Sequence, residues 1–298
     1  HLVRSRRQHE FDENAPSPNP LDHLFQKFKQ KDISADALYQ QVCELKIELV
    51  LTAHPTEVSR RTLIQKYDGI NQCLSRLDQQ KLTPHERQSV LDEMKQLICS
   101  AWQTDEIRQH RPTPIDEAKW GFTTIEQTLW NAVPKFIHEL DQLVLEHCGR
   151  PLPLEVAPIR FASWMGGDRD GNPNVTHQVT QEVLWLSRWQ AADLYVRDIE
   201  ALRWELSIQN CSEEMSEALG YTHPEPYREY LRQTRERLRA TRHWLAQKLQ
   251  GQDADASLVI HSKDELLQPL LLCYRSLMAC NLPEIANGRL LDFIRRVN

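Results

Sequence analysis

IELVLTAHPTE, residues 47–57, begins as an apolar run and ends in His54, Pro55, Thr56 and Glu57. The run reads as a short buried strand. Pro55 stops strand pairing because it lacks an N–H and fixes its own φ. Thr56 is placed to cap a following helix. Glu57 falls in that helix's first turn, where the dipole favours a negative charge. The reading is strand, loop, helix, with His54 at the C-terminal end of the strand.

A second segment repeats the plan. VAPIRFASWM, residues 156–165, is short and apolar, and a polar loop leads from it into a long helical pattern. Strand, functional loop, helix is the unit of α/β barrels, whose catalytic groups sit at the C-terminal strand ends. Two such units make only part of a barrel. Elsewhere helical periodicity dominates, over about 21–31, 34–46, 58–80, 84–109, 115–147, 177–208, 224–250, 262–281 and 287–297. Only 9 glycines occur, which favours helices over tight turns. The expected fold is mainly α, with long helices around a few parallel strands forming a partial (β/α) barrel. Residues 1–20 are polar and contain Pro16, Pro18 and Pro20; they read as a poorly ordered lead-in. Residues 21–298 read as the folded portion.

Composition narrows the function. The 298 residues are 40% hydrophobic and 26% charged, with a net charge of −6. An acidic balance argues against broad nucleic-acid binding, which needs a basic face. No apolar run is long enough to span a membrane, and the amino-terminal stretch has no secretory h-region. The 7 cysteines, Cys43, Cys73, Cys99, Cys148, Cys211, Cys273 and Cys280, are odd in number and form no CxxC pair. They read as reduced thiols of a cytosolic protein, mostly small core residues, rather than disulfides or zinc ligands. The chain starts at His1 and stops inside the helical pattern GRLLDFIRRVN, so both ends read as cuts in a longer protein.

The chemistry concentrates in two loops. In TAHPTEVSRRT, residues 52–62, Arg60 and Arg61 lie near a helix start, where cations oppose the dipole. A bound phosphate or carboxylate, held by helix N–H groups and an arginine fork, makes sense of them. His54 can then move a proton or stabilise charge near neutral pH. The competing reading is a structural histidine with two solvated arginines.

In FASWMGGDRDGNPNVT, residues 161–176, Gly166 and Gly167 permit close backbone approach or positive φ. Asp168, Arg169 and Asp170 are expected to pair among themselves and lock the loop, with Trp164 or Met165 walling a pocket. Asn174 or Thr176 can cap the next helix. A calcium loop is excluded by spacing: Pro173 stands where glycine is required and Val179 where the bidentate Glu belongs. The alternative is a rigid structural turn. Between these segments, Asp105, Glu106, Arg108 and Arg111 read as an ion-pair network at a helix corner, and Asp116 and Glu117 open the next helix. Trp130, Trp185, Trp189, Trp204 and Trp244 sit at helical spacing and read as core.

VLTAHPTEVSRRT (50–62), TDEIRQHRPTPIDEAKWGF (104–122), FASWMGGDRDGNPNVT (161–176) and IANGRLLDFIRRV (285–297) together closely resemble, in order, segments of bacterial-type phosphoenolpyruvate carboxylase. The resemblance runs from about residue 20 to the end. It implies an amino-proximal portion of a longer enzyme with an α/β barrel buried in extra helices. That enzyme joins bicarbonate to phosphoenolpyruvate, giving oxaloacetate and phosphate by way of carboxyphosphate and the enolate of pyruvate, and feeds the tricarboxylic acid cycle. It implies Mg²⁺ or Mn²⁺, an allosteric cytoplasmic homotetramer, and no nucleic-acid or membrane partner. By resemblance His54 is the catalytic histidine, acting where carboxyphosphate yields CO₂ and the enolate is carboxylated. Arg60, Arg61, Trp164, Gly166, Gly167, Asp168 and Arg169 fall in the active-site shell. Two further family hallmarks, a GYSDSxKDxG-like string and a Gly- and Arg-rich loop, are absent from this sequence. The metal-binding carboxylates are expected there, so none is assigned here and the isolated chain is expected to be inactive. The alternative from another class is a non-catalytic helical scaffold or regulatory module. A phosphotransfer role for His54 is disfavoured because acceptor histidines generally sit exposed on helices.

Overall fold

The computed structural model describes residues 20–31, 33–52, 61–78, 82–105 and 112–298. Among them the chain is mainly helical, with one sheet of two strands. The helices are α1 (Pro20–Gln30), α2 (Ala35–Cys43), α3 (Arg61–Leu77), α4 (Pro84–Trp102), α5 (Pro114–Thr124), α6 (Trp130–Cys148), α7 (His177–Glu205), α8 (Glu213–Leu219), α9 (Pro226–Leu249), α10 (Lys263–Ala279), α11 (Pro283–Ile285) and α12 (Leu291–Val297). Strands β1 (Ile47–Leu51) and β2 (Ile159–Ser163) are parallel, with Ile47 opposite Ile159 and Leu51 opposite Ser163. The parallel pair is what the two strand–loop–helix segments called for. The chain divides into two compact units. One holds residues 1–51, 122–163 and 181–298; the other holds 52–121 and 164–180.

In the first unit the larger core is helix on helix. Ile199, Leu202 and Leu206 of α7, Tyr227, Leu231 and Leu238 of α9, Leu270, Cys273 and Leu277 of α10, and Phe293 and Ile294 of α12 are all buried together. Spacings of three, four and seven residues put the α7, α9 and α10 sets each on one helix face; Phe293 and Ile294 are neighbours in α12. A smaller core gathers Phe25 of α1, Leu38 and Val42 of α2, Leu140, Leu143 and Val144 of α6, and Leu152. Cys73 and Cys273 are core residues. Cys43 and Cys148 are half-buried against the smaller core and Cys211 against the larger, while Cys280 is half-buried and Cys99 exposed.

Helix starts follow their caps. Ser262 accepts the Glu265 N–H, and Glu265 in turn accepts the Ser262 N–H at 3.1 Å, closing a capping box before α10. Thr83 and Glu86 form the same box at α4, with Pro84 in the first turn. Replacing Ser262 by Ala is expected to lower stability by about 1 kcal/mol, and Ser262→Asp by much less. Urea unfolding followed by circular dichroism reads the difference; an unchanged midpoint for Ser262→Ala would deny the cap any role.

Two helices expected to be continuous contain π turns, Ile125–Leu129 and Ala286–Leu290. At the first, Pro134 lies inside α6. Without an N–H it leaves the Trp130 carbonyl, four residues earlier, without a helical donor. Arg296 Nε donates to that carbonyl at 2.8 Å, and its Nη1 pairs with Asp198 Oδ2 at 2.9 Å. Trp130 Nε1 donates to the same carboxylate oxygen at 3.2 Å. Tyr195 packs between the Trp130 and Phe293 rings and donates its hydroxyl to the Arg296 carbonyl. Burial, reinforced by the Asp198 charge, pushes the Tyr195 hydroxyl up to about 12.

Two expectations are corrected. The strands are not buried: Ile47, Leu49, Val50 and Phe161 remain exposed. A two-stranded sheet leaves each strand an open outer edge and offers little cover for its faces. Trp204 is not core either. It is 73% exposed, with the Arg228 guanidinium 5.4 Å from its ring centre, so a cation takes the place of a hydrophobic neighbour.

Candidate active-site loops

Parallel pairing in register means that the chain leaves β1 at Leu51 and β2 at Ser163 from the same sheet end. The segment that follows β2, residues 164–176, is a loop of the second unit; of the segment that follows β1, only Thr52 is described before α3. His54, Thr56, Glu57 and Arg60 lie outside the described residues, as do 106–111 of the expected ion-pair corner. Arg61 is the first described residue of α3, and its side chain is outside the described residues.

The second loop can be followed turn by turn. The Trp164 carbonyl accepts N–H groups from Gly167 at 2.9 Å and Asp168 at 2.8 Å. Gly166, third in this turn, has φ 70°, the left-handed value that a type II turn demands at that place. The next turn runs Arg169 to Asn172, closed by the Asn172 N–H on the Arg169 carbonyl. Its two central residues, Asp170 and Gly171, have φ of 28° and 74°. Positive φ at both centres is the type I′ pattern that Asp-Gly favours. Asn172 Oδ1 then accepts the Asn174 N–H at 3.0 Å. Thr176 Oγ1 accepts the Val179 N–H at 3.3 Å and caps α7, while Asn174 serves the turn before it.

The lock on this loop differs from the one expected. Asp168, Arg169 and Asp170 are exposed, and no ion pair joins them among the described residues. Backbone turns and two contacts from neighbouring helices fix the loop instead. Thr180 Oγ1, in the first turn of α7, donates to the Gly166 carbonyl at 2.7 Å, closer than its own helix carbonyl at Thr176, 3.2 Å away. Met165 is 6% exposed and packs against Gly121 of α5. A Cβ on Gly121 would stand 2.0 Å from Met165 Cε. Met165 is therefore anchored by packing against α5. Trp164, next to it, is 56% exposed. Gly167 is less constrained, since a Cβ there would meet only the Trp164 carbonyl at 3.6 Å.

Neither Thr180 nor Gly121 stood out in the sequence. A glycine inside a helical pattern, as in KWGF, was the available signal. Thr180 carried none, because a polar residue in a first helical turn is ordinary. Ahead of α5, Thr113 accepts the Asp116 N–H at 3.2 Å and Asp116 accepts the Thr113 N–H at 3.1 Å, a box that accounts for Asp116 as a helix opener.

The described residues do not fit a divalent cation. Asn172 Oδ1 is engaged by backbone, and no group of three or more His, Cys, Asp or Glu is arranged to hold a metal among the described residues. No described helix is long and apolar enough to cross a membrane.

A family model described as phosphoenolpyruvate carboxylase matches residues 1–298. The phosphoenolpyruvate carboxylase of Acinetobacter baumannii is 79% identical over 298 residues, and that of Acinetobacter baylyi 78%. The Marinobacter nauticus enzyme of the same name is 53% identical over 298 residues. In each case all of this chain is covered and 33% of the relative, so the chain spans about a third of the length of these curated relatives. On the match of its whole length, the chain belongs to the phosphoenolpyruvate carboxylase family.

Proposed function

We propose that these residues are the amino-proximal part of the catalytic domain of an enzyme that carboxylates phosphoenolpyruvate. Residues 21–298 supply the folded portion and 1–20 a lead-in. The reaction joins bicarbonate to phosphoenolpyruvate and releases oxaloacetate and phosphate. It is a lyase activity that feeds the tricarboxylic acid cycle. The supporting observation is the register of β1 and β2, from which the chain leaves at one end of a sheet just before TAHPTE and WMGGDRD in sequence, in a chain matched throughout by the family model.

In this reading His54 is the catalytic histidine. Arg60 and Arg61, beside the start of α3, hold an anionic group of the substrate. Trp164, Gly166, Gly167, Asp168 and Arg169 form the shell of the site. Mg²⁺ or Mn²⁺, an allosteric homotetramer and a cytoplasmic location follow from the family and are proposals of the same standing. The described residues do not fit the metal, so the reading places its ligands outside them.

The test is direct. The polypeptide encoded by the complete open reading frame should form oxaloacetate from phosphoenolpyruvate and bicarbonate, read by coupled reduction to malate. Residues 1–298 alone should not. Oxaloacetate from the 298-residue chain would overturn its proposed inactivity, and none from the complete polypeptide would overturn the function.

A further inference from the structure

We propose that Thr180 and Gly121 are positioning residues for the loop Trp164–Gly171, acting through the Thr180 hydrogen bond on the Gly166 carbonyl and the Gly121 socket for Met165. The inference rests on the reading of residues 161–176 as part of the catalytic centre. Its geometry lies wholly within the second unit.

Three observations carry it. Among the described residues no ion pair joins the loop's charged residues, so what holds its backbone turns in place comes from the neighbouring helices. The turn at Gly166 is a left-handed backbone position whose carbonyl direction depends on what it bonds to. Thr180 supplies that bond at 2.7 Å, and a threonine in a first helical turn would otherwise turn back to the carbonyl four residues earlier. Finally, a Cβ on Gly121 would stand 2.0 Å from Met165 Cε and 2.6 Å from Sδ, so the end of that buried side chain would have to leave its place against Gly121. Met165 and Gly166 are consecutive, so these two contacts fix two adjacent residues of one turn. The first side chain before them is Trp164, and the first after Gly167 is Asp168. A shift at Met165 or Gly166 redirects both.

Neither Thr180 nor Gly121 is expected to touch substrate. The hydroxyl of Thr180 is occupied by the loop, and Gly121 has no side chain. Their effect is on where exposed groups of the loop point. A misplacement of about 1 Å at reacting groups can lower a rate by as much as about 100-fold.

The experiment uses the complete polypeptide. Thr180→Val keeps the side-chain shape and removes the donor; Thr180→Ser keeps the donor. Gly121→Ala fills the socket, and Met165→Ala added to it empties the clash. Two quantities are read in each: kcat/KM for phosphoenolpyruvate, and the emission of Trp164, isolated as the difference from the matching Trp164→Phe protein. Thr180→Val and Gly121→Ala are expected to lower kcat/KM by about tenfold and to alter Trp164 emission. Thr180→Ser should restore both quantities, and Met165→Ala should restore part of the loss in Gly121→Ala. Parental kcat/KM and parental Trp164 emission in Thr180→Val would overturn the proposal. So would a loss of activity that Ser does not rescue while Trp164 emission stays parental, since that is a general structural defect. If the unaltered polypeptide makes no oxaloacetate, the proposed function fails, and Trp164 emission alone still decides the positioning claim.

Discussion

His54→Asn is expected to lower oxaloacetate formation by about 10²–10⁴-fold in the complete polypeptide, the range over which a single acid–base group acts. Asn approximates the size of imidazole and can hydrogen-bond through one amide. It has no group that gains or loses a proton near neutral pH, whereas histidine titrates there. The sequence position argues for chemistry rather than support: His54 comes three residues after the last residue of β1, and catalytic groups of α/β barrels sit just past the C-terminal strand ends. Steady-state rates of oxaloacetate and phosphate release, with circular dichroism to confirm folding, measure the effect. Undiminished oxaloacetate formation would remove His54 from the reaction. A loss accompanied by unfolding would return it to the structural reading.

The sequence carried the positions of β1 and β2 and most of the long helices because each has an unbroken period of apolar residues. It did not carry what covers them. Ile47, Leu49 and Val50 read as buried because they are apolar, and apolarity states only what a side chain favours. Helix α8, Glu213–Leu219, was missed: seven residues give too short a period, although Ser212 before it and Gly220 after it are start and stop signals. The π turn before Trp130 was also out of reach. Pro134 announces a carbonyl without a donor, but the donor that answers it, Arg296, lies 166 residues away. In the candidate site the glycines and Asp170-Gly171 were readable as turns. The ties that hold those turns were not, because Thr180 and Gly121 matter only through contacts made in three dimensions.

Arg296→Met is expected to destabilise the fold by about 3–5 kcal/mol, as breaking one side of a buried ion pair does. The Arg296 and Asp198 side chains are only 10% and 11% exposed. Removing the guanidinium strands two groups at once. The Trp130 carbonyl loses the donor that Pro134 cannot supply, and Asp198 keeps the Trp130 N–H as its hydrogen bond among the described residues. The loss should depend on pH in a definite direction. Burial holds the Asp198 carboxyl above the ordinary Asp range, with Arg296 opposing that rise. A carboxyl raised in the folded state binds its proton more tightly there than in the unfolded chain. Its contribution is therefore greatest below the unfolded value and is lost as pH rises through the folded value. Without Arg296 the carboxyl rises further, so the variant should lose the most stability toward neutral pH and less in mild acid. Adding Asp198→Asn removes the charge and keeps an acceptor for Trp130 Nε1. The double variant should recover much of the loss and show a flatter pH dependence. Urea unfolding at several pH values separates the cases. A single variant no less stable at neutral pH than in acid would mean that Asp198 is hydrated once Arg296 is gone, and the buried-charge account would fail.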